Sequence, residues 1–334
     1  MQIFLTLDYE LFSGENPGTV ENSIIIPTEK LLEVGDKYDA KFVFFVDSGY
    51  LDRLSFYKEK YEKLAKDYEK IVNQLKSLNA NGHDIQLHIH PHWEDCTYDG
   101  EKWSMDTNRF RIHSFEKDEI EDIVSRYKNA LTDIVGNKVF AYRAGGWCLQ
   151  PFDKLKDALK KHGIWLDSTV YKDGLNSSAT HFYDFRNAPK KSLWKFEEDP
   201  VTEDSNGFFT EIPISTYPVS PLFFWKFAYH KKFAKNDHKV YGDGVTAGGS
   251  SNSSILKMLT KYSKSLVSLD GYRASLLKNA LKENSKKEQE GNFVVIGHPK
   301  AVTPYSLKEL DNFLDFSVDS GHKVTTFTRF IANK

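Results

Sequence analysis

Gly82-His83-Asp84-Ile85-Gln86-Leu87-His88-Ile89-His90-Pro91-His92-Trp93 carries histidines at three alternate positions, 88, 90 and 92, in a chain with eleven in all. Pro91 argues against a helix interior, because it lacks an N–H and collides with the preceding turn. The alternation after Ile85 and Leu87 instead predicts the end of a strand. Side chains at i, i+2 and i+4 of a strand share one face. Several imidazoles gathered at a strand end are suited to binding a metal ion.

Working outward, the 334 residues are enough for two average domains or one barrel of alternating strands and helices. Net charge is −2 with 28% charged residues, a balance that excludes a nucleic-acid-binding surface as the main theme. Aromatic residues make up 14% of the chain, which serves a large core and also supplies flat faces on which sugar rings stack. Cys96 and Cys148 have no CxxC neighbour and make no disulfide framework. No window reaches the length of a transmembrane helix. The opening residues show no secretion-leader pattern, so a cytoplasmic location in a reducing compartment is expected.

In chain order, Ile3 to Leu7 is an apolar run that reads as a buried strand, ending in Asp8-Tyr9-Glu10. A helix is expected from about Pro27-Thr28 to Tyr38, and Lys41 to Val46 is the clearest buried strand, closing on Asp47. A long helix covers about Phe56 to Asn79, with Tyr61, Leu64, Tyr68, Ile71, Leu75 and Leu78 at helical spacing. Residues 94–114 show no period. A helix over Glu116 to Ile134 precedes a strand, Val139 to Tyr142, that leads to Arg143-Ala144-Gly145-Gly146-Trp147. A helix at about Phe152 to His162 is followed by a strand at Ile164 to Leu166, reaching Asp167-Ser168. Phe208 to Ile214 is a further strand. Residues 217–292 break the pattern with an aromatic cluster at 223–229, a Gly/Ser tract at 248–254 and a polar helix at about Tyr272 to Lys287. The tract lacks the Lys-Ser/Thr of a phosphate loop. Phe293 to Ile296 ends in Gly297-His298-Pro299, and a helix (Ser306 to Ser320) and a strand (Lys323 to Phe327) finish the chain. Strands alternating with helices predict a parallel sheet and an α/β architecture, with Asp8, His88, Arg143, Asp167 and His298 at C-terminal strand ends.

Five motifs in order, Leu-Asp-Tyr-Glu at 7–10, Gly-His-Asp-Ile at 82–85 running into His88 and His92, Arg143-Ala-Gly-Gly-Trp, Asp167-Ser, and Ile-Gly-His298-Pro, resemble the polysaccharide deacetylase family (the chitooligosaccharide deacetylase homology domain). The likeness covers residues 1–170 and 290–330. It implies a distorted or incomplete (β/α) barrel spanning 1–334 as a single domain, with a mainly helical insertion or lid at about 217–292. By this resemblance Asp8 is the general base and Arg143 the arginine paired with it. His298 is the general acid and Asp167 the acid that supports it. The metal falls to Glu10, His88 and His92, with Asp8 and His90 as alternates, because Tyr9 stands where the family usually has an aspartate. Glu10 fits strand geometry, since it shares a face with Asp8.

The chemistry this implies is amide hydrolysis at an N-acetylated sugar, with one divalent ion, zinc first and then cobalt or nickel. Two imidazoles and a carboxylate leave open positions on such an ion. Trp93 and Trp147 are expected to wall an acetyl-sized pocket, and the backbone around Gly145 and Gly146 to contact an oxyanion. The expected substrate is a cytoplasmic precursor of a surface polysaccharide. The alternatives are hydrolysis of a ureide-like C–N bond, and an inactive barrel that binds carbohydrate.

Overall fold

The structure, a computed structural model, describes residues 1–136, 138–178, 180–234, 236–246, 252–288 and 290–332. Residues 248–251 of the Gly/Ser tract lie outside the described residues. The chain divides into two compact units that interleave in sequence: Met1–Leu5, Leu11–Lys41 and Ser215–Thr325 in one, and Thr6–Glu10, Phe42–Ile214 and Thr326–Lys334 in the other.

The second unit is built on parallel strands whose sequences are apolar on both faces, as a sheet covered on both sides requires. Phe42–Asp47 pairs with Asp84–Ile89, which pairs with Ala141–Ala144, which pairs with Leu166–Asp167, all parallel. Phe209–Glu211 extends the row in parallel and Trp194–Phe196 closes it antiparallel. Phe42, Val43, Phe44 and Phe45 have no solvent exposure; each such side chain contributes roughly 1.5–3 kcal/mol of burial. Registration matters more than content here. Asp47 sits opposite His88 and His88 opposite Arg143, so three chemically active side chains occupy one lateral row.

Helices flank these strands. Lys117–Val135 opens with a capping box in which Glu116 and Glu119 bond each other's backbone N–H groups. The long helix expected from Phe56 is in fact two, Ser48–Tyr57 and Glu62–Ala80. The unperiodic stretch 94–114 contains a small hairpin, Thr97–Tyr98 against Trp103–Ser104.

In the first unit, Asn292–Gly297 and the strand that begins at Gln2 are sheet neighbours. Lys323–Val324 lies parallel to Gln2 and Ile3. The last strand is shorter than expected, and Phe327–Ala332 is helical. The stretch from 216 to 292 holds helices Pro221–Phe233, Asn252–Thr260 and Leu277–Lys287, together with a hairpin, Thr216–Val219 against Ser263–Leu266.

One buried pair in the second unit is titratable. Asp167 and Glu211 are cross-strand partners with almost no exposure. Burial, and then the charge of Asp167, push the Glu211 carboxyl well above its usual 4.5. Asp167 is also raised by burial. Two acids this close are tolerated best with one of them neutral, and the stronger upward shift falls on Glu211. A raised folded-state pKa contributes stability that is full below the unfolded value, erodes as pH rises above it and is gone once pH passes the folded value. Glu211→Gln should therefore flatten the decline in denaturant midpoint between mildly acid and alkaline buffer. An unchanged slope would show that the proton resides elsewhere.

Candidate metal and acid–base site

The site is built on strand ends of the second unit. Along Gln2–Tyr9 and its continuation, Asp8 and Glu10 point one way and Tyr9 the other. Tyr9 is buried, with its hydroxyl donating to Gln74 Oε1 at 2.9 Å and its ring edge-on to Phe44. The residue that departs from the resembled motif is therefore core, and the carboxylate falls to Glu10.

Glu10 Oε2 lies 2.5 Å from His90 Nε2 and 3.2 Å from His88 Nε2. Among the described residues, these three form a buried group whose ligand atoms all lie within 4.8 Å of one another. His92 is not in it. The strand ends at Ile89, His90 is still extended (φ −108°, ψ 93°), and Pro91 starts a 3₁₀ turn, Pro91–Asp95. The shared face therefore runs from His88 to His90 and stops, and the pairing expected of His88 with His92 gives way to His88 with His90. The His92 ring instead lies stacked against Phe110 and Trp93.

His88 Nδ1 is 2.8 Å from the Arg143 carbonyl oxygen. A carbonyl only accepts, so Nδ1 carries the proton and a neutral His88 turns a lone pair toward Glu10. Burial presses this ring toward neutrality, but the Asp8, Glu10 and Asp47 carboxylates outweigh it and hold its pKa above the ordinary value. Without a proton or a cation between them, an imidazole lone pair and a carboxylate oxygen at this spacing repel. The donor set, two imidazole nitrogens and one carboxylate, suits a divalent ion of the zinc class.

Arg143 is fully buried, and four of its five guanidinium N–H donors are engaged. It donates to Asp8 Oδ1 (2.7 Å), Thr6 Oγ1 (2.9 Å), the Ser168 carbonyl (2.7 Å) and Ser168 Oγ (3.1 Å), with its carbon 4.2 Å from the Phe45 ring centre. The structure thus brings Asp8 and Arg143 together. Asp167 is engaged elsewhere than expected. Its carboxylate accepts from the Thr169 amide and hydroxyl, both at 2.9 Å, and Thr169 Oγ1 in turn accepts from the Ala144 amide. That chain fixes the strand end ahead of Gly145.

The acid at His298 is Asp270. One oxygen accepts the His298 backbone N–H at 2.9 Å, and the other lies 2.8 Å from Nδ1. Burial raises the Asp270 carboxyl, and the charge and hydrogen bonds of His298 outweigh that and hold it below its ordinary value. An ionised Asp270 fixes the His298 proton at Nδ1. Both residues belong to the first unit. Asp270 could not be found from the sequence motifs, because it lies within the stretch they leave uncovered.

The expected substrate contacts divide. Trp93 is only 1% exposed; its indole N–H donates to Asp47 Oδ2 at 2.7 Å, and Tyr50 and Trp103 enclose it. It is a core residue that pins Asp47, not a pocket wall. Asp47, noted in the sequence only as a strand end, is raised by burial, and the nearby histidines pull its carboxyl back only in part. Trp147 is half-buried, with its edge toward Tyr171 and Tyr183. Gly145 and Gly146 make room. A Cβ on Gly145 would meet the Ile89 carbonyl at 2.5 Å and His90 Nδ1 at 2.7 Å. Gly146 has φ +59°, and a Cβ there would meet Phe110 and His181. His181, over the Phe110 ring at 4.5 Å, had no signal in the sequence.

No family model and no curated protein sequence matches the chain. Solved structures do. A protein of Mycobacterium smegmatis provisionally assigned as a polysaccharide deacetylase aligns over 99% of this chain and 89% of its own, at 15% identity and TM-score 0.53. An allantoinase aligns over 98% and 88% at 11% identity and TM-score 0.49. A family 4 carbohydrate esterase from Streptomyces lividans, solved with acetate, aligns over 97% and 92% at 9% identity and TM-score 0.41. The first of these likenesses establishes the fold: a distorted or incomplete (β/α) barrel of the polysaccharide deacetylase type, as the motif order implied.

The Gly145 contact gives a direct test. Gly145→Ala should push the His90 ring aside and weaken zinc binding at least about tenfold, as for a disturbed ligand orientation, while the circular dichroism spectrum is kept. Zinc binding unchanged by the methyl group, read by calorimetric titration, would mean that His90 is not held as described.

Proposed function

We propose that this protein is a divalent-metal-dependent deacetylase that hydrolyses the acetamide of an N-acetylated saccharide. The observation that carries the reading is the convergence of Glu10, His88 and His90 beside an Arg143-held Asp8. Glu10 Oε2 and the two Nε2 atoms would hold the ion, and the Arg143 carbonyl keeps His88 in the ligating tautomer. Such an ion supplies Lewis acidity toward a carbonyl and toward water.

The chain's own residues account for the proton transfers. Arg143 takes Oδ1 of Asp8 and so orients the carboxylate, which as general base accepts a proton from the water that attacks the acetyl carbon. As the C–N bond breaks, the amine leaves with the Nε2 proton of a doubly protonated His298, whose Nδ1–H stays on Asp270. Acetate and a free amino sugar are the products. For His298 the proposal rests on the motif order and on its Asp270 partner. The substrate class follows the motif resemblance, and precursors of surface polysaccharides are the first set to test.

Purified protein supplied with zinc, cobalt or nickel should release acetate from a member of an N-acetylated saccharide panel. Chelation, His88→Ala and His90→Ala should each abolish turnover and bound metal. His92→Ala should keep the metal and lose at most about tenfold in rate, as expected for a packing neighbour. Acetate release that survives both chelation and His88→Ala would rule the mechanism out.

A further inference from the structure

The insertion carries a surface that the proposed chemistry does not use. Along helix Pro221–Phe233, Leu222, Trp225, Tyr229 and Phe233 fall at spacings of three and four, which sets them in one stripe. They are 59%, 57%, 61% and 63% exposed. The opposite side is satisfied: Phe223, Phe227 and His230 lie against Tyr272. The adjoining helix Asn252–Thr260 is joined through a hydrogen bond from the Trp225 indole to the Leu259 carbonyl, and adds exposed Ile255 and Leu256. Most of the exposed large apolar side chains among the described residues fall between Leu222 and Tyr262.

Charge is segregated in the same place. Residues 217–266 contain eight lysines and two acids, Asp237 and Asp243, in a chain of net charge −2. Asp243 is taken up by Thr19, Asn22 and Ser23. At 100° per residue, Lys226 and Lys232 fall on opposite margins of the exposed stripe, and both are exposed. Lys257, Lys261 and Lys264 are exposed on and beyond the second helix.

We propose that this face docks on the surface of an anionic lipid bilayer, with the Leu222–Trp225–Tyr229–Phe233 stripe seated among the acyl chains and the flanking lysines on lipid phosphates. Trp and Tyr favour the boundary between headgroup and acyl chain, and lysines beside them draw on the negative surface potential. A helix of 13 residues is too short to cross a bilayer, which takes about 20, and so lies in its plane. A second copy of the chain fits the face less well, because a twofold contact would set lysine against lysine. The proposal stands on these residues alone and does not depend on the deacetylase reading.

Full-length protein is floated with phosphatidylcholine vesicles and with vesicles that also contain phosphatidylglycerol. It should rise with the anionic vesicles only, less so as salt is added. Lys226→Ala should weaken partition about fivefold at low salt. Leu222→Asp combined with Phe233→Asp should abolish partition with the circular dichroism spectrum unchanged. Trp225 is left intact in both variants, so its bond to Leu259 is not lost. Failure to float with either vesicle, or flotation indifferent to the double substitution, overturns the proposal. So does a concentration-dependent dimer that Leu222→Asp dissolves, which would assign the face to a second copy.

Discussion

A guanidinium with no access to water must be enclosed by acceptors, and meeting that demand organises the centre of this protein. Arg143 is fully buried at the end of a parallel strand. Its side chain gathers Thr6, Asp8 and Ser168, and its carbonyl takes the Nδ1 proton of His88. An unpaired buried cation would cost several kcal/mol, so these four residues are held in place together. Asp8 is thereby oriented, His88 is fixed in one tautomer, and Glu10 follows two residues along the same strand face. Replacing the arginine would leave the buried Asp8 carboxylate without its cation, while the backbone carbonyl that holds His88 would remain.

The second unit is held in register by the same economy of buried polar groups. Asp47 is pinned by the Trp93 indole, Asp167 by Thr169, and Glu211 beside Asp167 is pushed by burial toward its neutral form. Each of these three buried acids is met by a donor or favoured in its neutral form. In the first unit, Asp270 plays the corresponding part for His298, accepting from both its backbone and its ring.

Much of this was legible in the sequence, because strand parity is a rigid rule. The unbroken apolar run ending in Asp47 marks a strand buried on both faces, while the alternation through His88 and the shared face of Asp8 and Glu10 follow from period two, and each appears in the structure. Parity failed where the strand stopped. Pro91 was read correctly as a turn, but the reach of the histidine face was carried two residues past it, which promoted His92 over His90. The helix Ser48–Tyr57 escaped because its buried residues, Gly49 and Tyr50 among them, make no strong apolar period. Asp270 and His181 were out of reach for a different reason. Their roles are created by long-range contacts, and neither stands in a local pattern that marks it. Gly145 and Gly146 were recognised as special for their backbone, and the structure adds that their lack of a side chain makes room for His90, Phe110 and His181.

The central claim is that a divalent ion is held by Glu10, His88 and His90, with His92 outside the ligand set. Anomalous X-ray diffraction at the zinc absorption edge from zinc-soaked crystals tests it most directly. The account predicts a single strong peak bonded to Glu10 and to the Nε2 atoms of His88 and His90. A peak bonded to His92 in place of His90, or no peak at Glu10 in excess zinc, would contradict it.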